Sequence, residues 1–363
     1  MYRRKSWILA SLRSLIRSGQ ALGILFAFLA VSSGRAAEGP IQLEVVGGLA
    51  DVSQYTKFEE PFWLHDVPRL TQGRVQAEIH PFDRSGLPGP EMLQLMRLGV
   101  VPFGTALLAL VSGDEPELNA VDLPLLNPDM AALRKTVKLY RAHLHQILQR
   151  KYGIELLGIY AYPAQVLYCT RPFTTLNDLT GRRIRTSSVG QSEMMSALGA
   201  IPIVTPFSDV VNAIRKNVVD CAITGTMSGN EIGLPEVTSY IYPMAISWGL
   251  SFFGANGAAW KQLPPDVRDA LRNGISKLEL SIWDAAEQET AIGLACDIGS
   301  SECVAGRVFH MKLLPIKAED EVQRELLLTN SILPRWLQRC GNDCVAAWNE
   351  TLGTTLGIRA AAE

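Results

Sequence analysis

The chain has 363 residues, room for about two domains and a sizeable core. With 47% hydrophobic and 19% charged residues and its Gly and Pro spread along the chain, it is globular, which excludes a disordered, collagen-like or coiled-coil protein. Its net charge of −2 hides an asymmetry: residues 1–36 carry six basic side chains and no acidic one, and the remainder holds 28 basic against 36 acidic. A body of net charge −8 lacks the positive field that nucleic-acid binding needs, so a small anion would require a locally placed Arg.

The basic start runs into an apolar stretch, Ala21 to Ser33, followed by small residues around Gly34 and Ala36. This is the layout of a secretory signal peptide over residues 1–36. Thirteen apolar residues fall short of the roughly 20 that cross a bilayer, and a buried N-terminal helix would have to take in Arg13 and Arg17. Export as a soluble protein is the expectation.

From Ile41 onward, strand-like and helix-like segments alternate, the pattern of an α/β protein. IQLEVVGG is read as a strand, Phe58 to Leu70 as a helix, VQAEIHPF as a strand, PEMLQLMRLG as a short helix and GTALLALV as a buried strand. Met130 to Lys151 follows as a long amphipathic helix and IELLGIYAY as a strand. A second unit opens at VLYCTRPF and continues through TTLNDLTGRRIRT, SEMMSALGAIPIVTP and FSDVVNAIRKNVVDCAIT with a β-α-β-α-β rhythm. WGLSFFGAN is then a strand. A long helix begins at Pro264-Pro265 with Val267, Leu271, Ile275, Leu278 and Ile282 on one stripe. GRVFHMKLLP is read as a strand and Glu319 to Arg339 as a last helix. The expected architecture is a two-lobed clam-shell with a hinge. Lobe I comprises residues 37–163 and 250–290, lobe II residues 164–249 and 291–363, and the ligand lies between them.

The six cysteines suit an exported chain. Cys296 with Cys303, and Cys340 with Cys344, bracket short polar loops and are read as local disulfides. Zinc is disfavoured because no His lies within either loop. Cys169 and Cys221 stand in strand-like contexts and fit a third bridge or buried free thiols equally.

Catalytic constellations are sparse. GQSEM around Ser192 lacks the strained nucleophile elbow, and Ser192 is better explained as a solvated helix start. His143 and His145 sit two apart on a helix and are read as surface residues. The sequence carries neither a P-loop nor a dinucleotide fingerprint. The expectation is no enzyme, no cofactor and no metal. Arg185 stands out: as the end residue of the strand RRIRT it would project where open α/β sheets hold ligands. Its planar fork suits a carboxylate, and an ion pair with Asp178 explains it equally well.

Residues 39–358 resemble the extracytoplasmic solute-binding proteins of tripartite ATP-independent periplasmic (TRAP) transporters. DLTGRRIR is similar to that family's D-L-x-G-x-x-x-R, and LGAIPIVTPFSDVVNAIRKNVVDC resembles its L-G-A-x-P with S-[ED]-V-x-x-A-[LI]-x-x-x-x-V-D-G. NGAAWKQLPPDVRDAL and TQGRVQAEIHP match two further motifs in the family's order. The resemblance implies a long helix crossing both lobes and an organic anion held by Arg185, with Phe207 packing against it. Thr224 takes the place of a supporting Asn, Pro102 that of a first-lobe Asp, and Leu107 and Leu108 stand where other members offer polar groups. The expected ligand set is Arg185, Phe207, Thr224, Gln165, Trp248 and Leu107, with Phe252 nearby. It would receive a small organic acid with an apolar body. The implied partners are the small and large TRAP membrane subunits, without nucleic acid, and the protein is expected to act as a monomer. The other reading of the same fold is a periplasmic sensor that feeds a signalling receptor or another class of transporter.

Overall fold

The structure is a computed structural model that describes residues 39–360. The signal peptide expected over residues 1–36 lies outside the described residues. Two sheets carry the fold. The first contains β1 (Ile41–Gly47), β2 (Val75–Pro81), β3 (Phe103–Leu107), β4 (Ile154–Ala161) and a late strand between β3 and β4, Leu250–Asn256. The second contains β5 (Gln165–Cys169), β6 (Arg183–Thr186), β7 (Ile201–Val204), β8 (Cys221–Gly225) and β9 (Tyr240–Ser247). Leu250–Asn256 is β10, and a two-residue edge strand, Lys312–Leu313, is β11. The strand orders are β2-β1-β3-β10-β4 and β11-β9-β5-β8-β6-β7. One strand of the first sheet arrives from beyond the run that builds the second: β10 lies antiparallel to β3 and β4. The chain passes between the sheets at Tyr162–Ala164 and again at Trp248–Gly249.

A third connection is the 34-residue helix Pro265–Ile298, the spine. Its stripe of Val267, Leu271, Ile275, Leu278 and Ile282 buries into a core with Trp63, Leu157, Tyr160 and Phe253 of the first lobe. Farther along, the same helix meets the second lobe. Gly293 lets it approach the helix Thr226–Glu231 so closely that a Cβ would sit 2.3 Å from the Met227 backbone nitrogen. Thr226 Oγ1 donates to the carbonyls of Glu289 (3.2 Å) and Thr290 (3.0 Å). Trp283 Nε1 donates to the Ile159 carbonyl at 2.7 Å, and Thr290 Oγ1 accepts from Ala164 N at 3.0 Å. Helix Met130–Tyr152 is bounded as its ends dictate, with Asp129 accepting from Ala132 N at 2.8 Å and Gly153 in the left-handed region.

The local reading needs several corrections. GTALLALV is a strand only to Leu107; Leu108–Val111 is one helical turn with Leu108 and Val111 buried. An unbroken apolar run carries no period that separates the two states. Tyr240–Ser247 is a full strand that the sequence reading passed over; its Pro243 falls where the pairing of β5 with β9 slips register. GRVFHMKLLP contributes only Lys312–Leu313. The last helix runs from Ala318 to Cys340 with a π-helical stretch, Leu328–Ile332, in its middle. The helix near Ser192 begins earlier, at Val189, capped by Ser188, so Ser192 is a half-buried residue within it that bonds Thr186 and Ser188. His143 is half-buried rather than on the surface, its Nε2 2.6 Å from Glu117. Cys296–Cys303 and Cys340–Cys344 are disulfides, and Cys169–Cys221 is a third, joining directly opposed residues of β5 and β8. No helix among the described residues is long and apolar enough to cross a membrane.

Candidate functional site

The parallel strands of both sheets point their carboxyl ends at a cavity of about 400 Å³ between the lobes. Leu49 follows β1, Phe82 and Asp83 follow β2, and Leu107 closes β3; Arg185 and Ser187 stand at the end of β6 and Thr224 near the end of β8. Side chains at strand ends converge on one point without distorting the sheet, which is why this edge of an α/β sheet collects ligand-binding groups.

Arg185 is the electrostatic centre of that wall. Its side chain is 3% exposed; Nε donates to the Thr205 carbonyl at 3.0 Å and Nη1 to the Ile223 carbonyl at 2.7 Å. Neither partner carries charge, and among the described residues no carboxylate pairs with this guanidinium. Asp178 instead caps the turn before β6 by accepting from Thr174 N and Thr175 N, and Asp220 takes Arg183 at 2.8 Å. The ion-pair explanation of Arg185 therefore fails. Burial pulls its pKa from 12.5 down to about 10, with no opposing acid to hold it up. A buried cation without a counter-ion, lining a cavity, is a group that awaits an anion.

A chain of amides lies beside it. The Ser187 backbone N–H donates to Gln191 Oε1 at 2.8 Å, and this fixes Gln191 with Nε2 outward. That Nε2 donates to Gln165 Oε1 (2.8 Å) and to Ser247 Oγ (2.9 Å), so Gln165 in turn must present its own Nε2 as the free donor. Gln165 Nε2 rests on Gly249, where a Cβ would lie 2.3 Å from it and where φ is +69°. Glycine meets that φ without strain and leaves the Gln165 amide where it is.

Of the expected ligand residues, Arg185, Phe207, Thr224, Gln165 and Leu107 line the cavity. Trp248 does not. It is 3% exposed and its Nε1 donates to the Asn127 carbonyl at 3.0 Å, while its backbone N–H and that of Gly249 donate to the buried Asp122 at 2.9 and 2.8 Å. Trp248 thus anchors the second crossover between the sheets. Phe252 and Leu108 are also core residues, each 1% exposed. The apolar wall comes instead from Leu49, Phe82, Leu87, Leu107, Leu110 and Phe207. Sequence reasoning passed over Asp83 and Tyr162, which also face the cavity. Their position just past the ends of β2 and β4 was the available signal.

A family model described as bacterial extracellular solute-binding protein, family 7, matches residues 53–294. The chain belongs to this family. The family 7 protein is 27% identical, over 308 residues, to the C4-dicarboxylate-binding periplasmic protein DctP of Rhodobacter capsulatus, covering 80% of this chain and 84% of that one. Among solved structures, its fold matches DctP7 of Bordetella pertussis, an extracytoplasmic solute receptor binding pyroglutamic acid, with a TM-score of 0.76 at 23% identity; 85% of this chain and 98% of that one are covered. It also matches a TRAP periplasmic solute-binding protein of Shewanella oneidensis with bound succinate, with a TM-score of 0.73 at 19% identity over 85% of this chain and 98% of that one. The two-lobed α/β architecture of the family 7 protein is therefore that of the TRAP solute receptors, an extracytoplasmic group of binding proteins.

Proposed function

We propose that this protein works in the periplasm and captures a small organic acid in the cavity between its lobes, without turning it over, for delivery to the small and large membrane subunits of a TRAP transporter. One observation carries the reading: Arg185 is buried, faces the cavity and has no acidic partner among the described residues. A carboxylate supplies the missing charge through two parallel hydrogen bonds, with Nη2 available to it and the amide of Gln165 and the hydroxyl of Thr224 on the same wall. Leu49, Phe82, Leu87, Leu107 and Leu110 opposite, with Phe207 beside Arg185's own wall, suit an apolar body, and the volume suits a small molecule. The names of relatives agree, since pyroglutamate, succinate and C4-dicarboxylates are all carboxylates. The lobes are proposed to divide at residues 163–164, 249–250 and 290–291, with the spine helix shared between them.

The test is mass spectrometry of whatever copurifies with the mature protein, followed by calorimetric titration of carboxylates, sugar acids and amines. A copurified or titrated carboxylate whose binding is lost in a folded Arg185→Ala variant is the expected result. Tight binding of a neutral or cationic solute, or full affinity in that variant, overturns the assignment.

A further inference from the structure

We propose that Asp83 sets a second requirement on the solute, a hydrogen-bond donor on its body, and that it disfavours doubly charged acids. The inference rests on the reading of Arg185 as the carboxylate anchor. Among the described residues the cavity wall holds one cation, Arg185 on the second lobe, and one carboxylate, Asp83 on the first. Asp83 Oδ1 accepts from Ala50 N at 3.0 Å, whereas Oδ2 has no hydrogen-bond partner among the described residues. The neighbouring cation, Arg84, is taken by Asp51. Burial raises the Asp83 carboxyl above its ordinary value; the N–H groups of Ala50 and of Asp83 itself, and the Arg84 charge, pull it down without offsetting that burial.

A ligand carrying one carboxylate and one N–H, ammonium or hydroxyl group satisfies both walls. A plain hydrocarbon acid would cover Oδ2 and leave it unpaired. A dicarboxylate would bring a second negative charge into a partly desolvated cavity that already holds one and offers a single cation. The bond to Ala50 N alone does not account for an Asp here, because Asn would accept the same hydrogen bond.

Calorimetry with matched probes tests the proposal: pyroglutamate against its lactone analogue, in which ring oxygen replaces N–H; 4-hydroxyphenylacetate against phenylacetate; and succinate as the dianion. The wild-type protein is expected to favour the donor-bearing member of at least one pair by about tenfold, and to bind it more tightly than succinate. Asp83→Asn, which keeps the Ala50 contact, is expected to shrink both preferences several-fold. Tighter binding of succinate than of either donor-bearing acid by the wild-type protein overturns the proposal, and needs no variant. So do unchanged preferences in folded Asp83→Asn. If instead no carboxylate binds, or binding survives Arg185→Ala, the carboxylate reading fails and this inference falls with it; Arg185-dependent binding that ignores Asp83 removes this inference alone.

Discussion

Replacing Arg185 by Met separates a ligand anchor from a structural arginine, because the two predict opposite responses of the empty and loaded protein. Burial lowers the Arg185 pKa from 12.5 to about 10. At ~1.36 kcal/mol per tenfold change in the proton equilibrium, the unpaired charge costs the empty fold about 3 kcal/mol. At neutral pH the guanidinium is charged both folded and unfolded, so this cost is fully expressed. Against it stand the hydrogen bonds to the carbonyls of Thr205 and Ile223, each worth about 1.5–3 kcal/mol from a charged donor. Met relieves the first and forfeits the second, and the ligand-free variant should therefore lie within about 2–3 kcal/mol of wild type. Ligand at a hundredfold excess over Kd should stabilise the wild-type protein by about 2.7 kcal/mol and the variant not at all. Urea denaturation with and without the identified solute measures both numbers. A variant that loses more than about 4 kcal/mol when empty, yet is still stabilised by ligand, would show that Arg185 serves the fold and refute the reasoning.

Burial holds Glu59, Asp122 and Glu231 each at about 7 and Asp297 at about 6. These groups bind protons more tightly folded than unfolded, so stability should fall as pH rises from about 4 to about 7 and level off above; chemical denaturation midpoints that climb across this window would contradict it. The slope should flatten in Asp122→Asn and Glu59→Gln. The Cys169–Cys221 bridge closes a separation of 52 residues, worth about 4 kcal/mol by loop entropy against about 2 for each short loop. Replacing that pair by Ala should consequently lower the denaturation midpoint most of the three, and peptide mapping without reductant should recover all three bridges. Gln191→Glu keeps the bond from Ser187 N but removes the donor to Gln165, so Gln165 should turn and solute affinity should drop about tenfold in calorimetry; unchanged affinity would dismiss the amide relay.

The elements whose signals are local were legible in the chain itself. The spine helix declared itself through its proline start and its stripe from Val267 to Ile282, and the two short disulfides through polar loops only a few residues long. Arg185 was legible as a candidate because a strand end in an α/β sheet faces a crevice, but not as an unpaired charge: whether Asp178 reached it depended on Asp178 turning back to cap Thr174 and Thr175. Trp248 and Phe252 look alike in sequence to Leu107 and Phe207, since an apolar residue is equally content against a core or a ligand. The crossing of the chain at Trp248–Gly249, pinned by Asp122 from far earlier in the sequence, turned the first pair into the core. Asp83 carries the same local signature as any turn acid, and only the tertiary structure, by setting the end of β2 against a wall built from both lobes, made it part of the cavity. Periodicity, caps and short loops are properties of neighbouring residues and can be read along the chain, whereas charge compensation and burial depend on groups brought together from both lobes, and those only the tertiary structure decides.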